Sequence, residues 1–116
     1  MRHRRFAGRD AWMAAVEQAL AHPAALPILT AKALDVDAVR SVAGAEAARA
    51  SDLGISCLSA DQLADAAGLP RTSVLRARLA LVELGLEDVV PGAGAGNVRR
   101  ELHHDCCECA NTHEEC

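Results

Sequence analysis

The last fourteen residues of the chain read HHDCCECANTHEEC and hold four of its five cysteines and three of its five histidines. Thiolate sulfur and imidazole nitrogen are the ligands that tetrahedral zinc prefers, and structural sites deliver them as close pairs. Cys106 and Cys109 make one such pair and His113 and Cys116 another, with three residues between the pairs. The pattern points to a clip for Zn2+. Three residues is a tight span, so His103, His104, Cys107 and the distant Cys57 are alternative ligands. The competing reading is an acidic tail without metal, because Asp105, Glu108, Glu114 and Glu115 lie in the same stretch. No nucleophile and base stand beside an oxyanion-binding element, so an enzyme is not expected.

A second group of capable residues is RTSVLR at 71–76. Arg76 carries a guanidinium fork that matches guanine O6 and N7, or a phosphate. Thr72 and Ser73 are short hydroxyl residues suited to phosphate or base contact, and Arg71 is placed for phosphate. Asn97, Arg99 and Arg100 form a third group, able to grip a nucleic-acid backbone. The alternative for each is a solvated surface position. What decides between the two is whether the surrounding elements aim these side chains at a common partner.

The elements that must do so lie in LSADQLADAAGLPRTSVLRARLALVELGL, residues 58–86. Ser59 with Gln62 three residues on is a capping box. Leu63, Ala64 and Ala67 make one apolar face. Gly68 suits the positive φ just beyond a helix end. Pro70 is placed to open the next helix, where its missing N–H costs nothing. That helix is expected from about Arg71 to Leu84, with Gly85 as its stop. Val74, Ala77, Leu81 and Leu84 point inward, with Thr72 and Arg76 nearly opposite.

This arrangement resembles the helix-turn-helix of bacterial (actinobacterial-like) winged-helix transcriptional regulators. The resemblance rests on Ser59, Leu63–Ala64, Gly68–Leu69, Ser73–Val74 and Leu84–Gly85–Leu86, about thirty residues in all. It implies a wing in EDVVPGAGAGNVRRELH. Val89–Val90 would enter it, Pro91–Gly96 would turn, and Val98–Leu102 would return as the second strand, with Val98, Arg100 and Leu102 on one face. The bland reading of PGAGAG is a flexible linker. Arg78 departs from the pattern, since it falls in the apolar arc. Either its stem lies along apolar surface and its head pairs with Asp61 or Asp65, or the helix is turned so that Leu75, Leu79 and Val82 pack on the N-terminal helices or a second subunit. The tail, as C-x2-C-x3-H-x2-C, resembles a compressed zinc knuckle.

Upstream, DAWMAAVEQALAH is a helix capped by Asp10 and ended by Pro23, with Trp12, Val16, Ala19 and Leu20 at helical spacing. PAALP at 23–27 is a connector. From Ile28 to about Ala50 the pattern is helical again, as one helix or two. The chain is 51% hydrophobic, but Phe6 and Trp12 are its only aromatics. Alanine favours helix yet contributes little burial per residue.

The expected fold is therefore mainly α, a helix-turn-helix with N-terminal helices and a small β-wing. The divisions are 1–57 helical, 58–102 winged helix-turn-helix and 103–116 the Cys/His-rich tail. Net charge is −4, which by itself does not suggest nucleic acid. The head is nonetheless basic, with Arg2, Arg4, Arg5 and Arg9, and could serve as a groove-binding arm. No membrane span and no secretory signal are read, so a cytoplasmic protein with reduced thiols is expected. The expected function is sequence-specific binding of double-stranded DNA, as a regulator or accessory replication factor, with a homodimer on paired half-sites. The alternative is a metal-binding or redox-responsive module that uses the helix pair to dock protein.

Overall fold

The computed structural model describes residues 4–91 and 98–105. It is mainly helical, with five helices and a small antiparallel sheet among the described residues. A two-residue strand β1 (Arg4–Arg5) leads into α1 (Arg9–Ala21). The N-cap is Gly8, two residues before Asp10, which lies instead in the first turn. There its carboxylate still favours the positive end of the helix dipole. His22 takes extended angles, φ −78° and ψ 141°, as a residue before proline must, and the helix ends.

The expected connector at 23–27 is partly helix. α2 (Ala25–Ala31) includes Pro27. Proline is tolerated in a first turn because those N–H groups have no intrahelical acceptor. Ala33, at φ 54°, breaks the chain out of α2. Asp35 then caps α3 (Val36–Arg49), its Oδ1 accepting from the Ala38 N–H at 2.8 Å. The stretch from Ile28 to Ala50 is thus two helices, and Gly44 sits within the second without interrupting it.

β2 (Ile55–Ser56) leads to α4 (Ala60–Ala67) and α5 (Arg71–Glu83). The capping box of Ser59 and Gln62 is formed, and Gly68 adopts φ 71°, ψ 34°. β3 (Glu87–Pro91) and β4 (Val98–Leu102) pair antiparallel, from Glu87 opposite Leu102 to Pro91 opposite Val98. β2 pairs with the other edge of β4, giving strand order β2-β4-β3. β5 (His104–Asp105) pairs with β1.

One cluster of buried side chains joins all of this. It runs from Trp12, Val16 and Leu20 of α1 through Val39, Val42 and Ala43 of α3 to Leu63, Val74, Ala77, Leu81, Leu86 and Leu102. It crosses the expected division between residues 57 and 58 without interruption. Trp12 is its largest member, fully buried, and its Nε1–H donates to the carbonyls of Leu86 at 2.9 Å and His103 at 3.2 Å. A buried indole needs such a partner for its N–H. These carbonyls flank the β3–β4 hairpin, so α1 holds the hairpin at its base.

Candidate nucleic-acid interface

Buried residues on α5 are Val74, Ala77, Arg78, Ala80 and Leu81. Arg71, Thr72, Leu75, Arg76, Leu79 and Glu83 are exposed, and Ser73 is half-buried. The inward face matches the spacing read from the sequence at Val74, Ala77 and Leu81. Thr72 and Arg76 are together on the open face, and Arg71 begins it. Arg71 Nε is 3.1 Å from Asp61 Oδ1 of α4, both side chains well exposed. A pair in water at this separation is weak and easily exchanged.

Of the stripe Leu75, Leu79 and Val82, only Val82 is half-buried. Leu75 is 39% and Leu79 57% exposed. Arg78 pairs with neither Asp61 nor Asp65. It is buried, its Nε donating to Glu46 Oε2 at 2.8 Å and its Nη2 to the Leu58 carbonyl at 2.8 Å. The helix is not turned away from its expected face. Instead α3 supplies a carboxylate inside the core.

Among the described residues Glu46 is one of two fully buried glutamates, and the other is Glu87 of β3. Burial, the Glu46 carboxylate and a hydrogen bond with Glu46 push the Glu87 carboxyl up to about 10, against the opposing pull of Arg100 and Arg78. Glu87 is therefore a neutral acid at pH 7. Glu46 Oε1 and Glu87 Oε2 accept from no other group, and a protonated Glu87 carboxyl is able to donate to Glu46. Two like charges so close cannot both ionise cheaply. Arg100 donates from Nη1 to Glu87 Oε1 at 3.2 Å. Its guanidinium is thus tied to the base of the hairpin, where the sequence had suggested a backbone grip. Arg99 is exposed.

The sequence did carry half of this cluster. Glu46 falls on the apolar stripe Val39, Val42, Ala43, Ala47, and Arg78 falls on the apolar arc of α5. Two opposite charges, each on a buried face, are natural partners. Glu87 follows a Leu-Gly-Leu turn among other acids and has no such mark.

No protein-family model, curated protein or solved structure matches the chain.

Asn97 and the expected turn at 92–97 lie outside the described residues, as do Cys106, Cys109, His113 and Cys116. Among the described residues no group of three or more His, Cys, Asp or Glu side chains could hold a metal ion, and Cys57 is a free, exposed thiol. The basic head is partly committed elsewhere. Arg9 donates from Nε to the Ala47 carbonyl at 2.6 Å and from Nη2 to the Ala50 carbonyl at 2.5 Å. It closes the C-terminus of α3, where a cation is favoured. Arg4 and Arg5 are in β1, whose backbone pairs with β5. Within the described residues no helix is long and apolar enough to cross a membrane.

Proposed function

We propose that residues 36–102 act as a winged helix-turn-helix that binds double-stranded DNA, and that the protein is a transcriptional regulator or an accessory replication factor. The observation that carries this reading is the first turn and a half of α5. It presents Arg71, Thr72 and Arg76 to solvent while its opposite face is core. The N-terminal part of such a helix is what enters a major groove and reaches base edges.

The element order supports the reading. A helix, a short strand, two helices joined by a tight turn and an antiparallel hairpin follow one another as α3-β2-α4-α5-β3-β4. The β3 strand of the hairpin contacts α5, the second helix of the pair. In this role Arg76 reads guanine or grips phosphate, Arg71 and Ser73 contact backbone, and Arg99 and Asn97 belong to the wing. Glu87, being neutral, adds no repulsion. A homodimer on paired half-sites would compensate for the small number of cations. Zn2+ held by Cys106, Cys109, His113 and Cys116 would fix the chain just after the hairpin.

Selection of bound sequences from random duplex DNA at low salt tests the proposal, with zinc and iron assayed on the same sample. A defined sequence should emerge, and Arg76→Ala should abolish selective binding. Recovery of no preferred sequence by the native protein rejects it. The exposed Leu75 and Leu79 favour a second reading, in which the same face docks a protein and the tail is a metal or redox module. That reading requires at least stoichiometric metal and binding that ignores DNA.

A further inference from the structure

Leu75 and Leu79 are large apolar side chains left in water at the middle of the face assigned to DNA. At about 100° per residue, Thr72, Leu75 and Leu79 lie within about 30° of the centre of the exposed arc of α5. Arg71 and Arg76 stand about 70° to either side. Over its first three turns the face therefore has an apolar centre with an arginine on each flank, Arg71 beside Asp61. Glu83 lies on the same arc only at the far end of the helix, paired with Lys32. A major groove is built the same way, with phosphates along its rims. The only apolar group on its floor is the C5-methyl of thymine.

We propose that Leu75 is a specificity-determining residue that packs on a thymine methyl, an assignment that rests on the DNA-binding reading above. Leu75 is one turn from Thr72 and within the part of α5 that enters deepest. Its aliphatic end can cover a methyl but can offer nothing to a hydrogen-bonding edge. Over a G·C pair it would leave donors and acceptors desolvated and unpaired, which is costly. The residue thus selects a T·A or A·T pair at one position and rejects G·C there. Leu79, a further turn along, is placed to shield the same step from water. A protein partner would have to bring carboxylates to both flanks and an apolar ridge between them. Duplex DNA brings phosphate to both flanks at every site.

The test uses the full-length protein and the duplex selected from random sequence. Each thymine is replaced in turn by uracil, which removes only the methyl. At one position, native protein should lose about four-fold in affinity, the equivalent of one methyl group returned to water. Leu75→Ala should be indifferent to that replacement, and a fresh selection with it should relax the preference at the same position. If native protein selects a site but no uracil replacement weakens it, the assignment of Leu75 is wrong and the DNA-binding reading stands. If Leu75→Ala keeps the full preference but converts a dimer to a monomer in sedimentation, the face is a self-association surface and the assignment is again wrong. If native protein selects no sequence, the DNA-binding reading falls and takes this one with it. The uracil measurements need no variant, so they stand even if Leu75→Ala folds poorly.

Discussion

Arg78 is the residue on which the buried charge depends. Its guanidinium has both a carboxylate, Glu46, and a carbonyl, Leu58, at 2.8 Å. Arg78→Met would leave Glu46 buried without its cation. Loss of one partner of a buried pair costs about 3–5 kcal/mol, so the urea midpoint should drop sharply. Adding Glu46→Gln should recover much of the loss, since the orphaned charge is then gone. Glu87 makes a different prediction. Its carboxyl is raised from 4.5 to about 10, so between those values the folded chain holds a proton that the unfolded chain has released. The contribution to stability is fully present below the unfolded value and is lost as pH rises toward the folded one. The slope is at most about 1.4 kcal/mol per pH unit. Glu87→Gln keeps a hydrogen-bond donor and removes the titration. Denaturation from pH 5 to 9 should show a falling midpoint for native protein and a flatter one for the variant.

At the scale of elements, two turns depend on glycine for different reasons. Gly68 ends α4 at φ 71°, and a Cβ there would meet nothing within 4 Å. Gly68→Ala should therefore cost only the left-handed backbone penalty, about 1–2 kcal/mol. Gly54, in the turn before β2, has φ 80°, and a Cβ there would lie 2.5 Å from Phe6 Cγ. Gly54→Ala should be the more damaging of the two, with the difference in urea midpoint measuring the clash. Only the first of these was legible in the sequence. The capping box, Gly68 and Pro70 are local devices whose residue types state their purpose, so α4 and α5 could be placed from them. Ala33 has no such mark. An alanine at positive φ is rare, and nothing in an alanine-rich stretch announces that the chain leaves a helix there. Pro27 misled in the opposite direction, since a proline breaks a helix interior but not a first turn. The open face of α5 was half legible. The polar positions were found from spacing, whereas Leu75 looked like core because periodicity cannot say whether a partner exists for an apolar stripe.

For the whole molecule, the described arginines assigned to the DNA-facing side set how binding should respond to salt. Arg71, Arg76 and Arg99 are exposed, while Arg78, Arg100 and Arg9 are held by Glu46, Glu87 and the end of α3. With about 0.9 counterion released per phosphate contact, a plot of log affinity against log salt should have a slope of roughly −3 for a monomer. A dimer engaging both half-sites should roughly double it. A titration over a few salt concentrations distinguishes the two, and a slope near zero would argue against phosphate contact by this face.

Trp12 gives the protein a built-in optical gauge. It is the only tryptophan, and the chain has no tyrosine, so near-ultraviolet emission comes essentially from one ring. That ring is fully buried and its N–H is held by the carbonyls of Leu86 and His103 on either side of the hairpin. Emission colour and lifetime therefore report whether the hairpin base is seated. An unseated hairpin would shift the band to longer wavelength while helical circular dichroism stayed unchanged. Without any attached label, the coupling between α1 and the hairpin can be followed as DNA or metal is added.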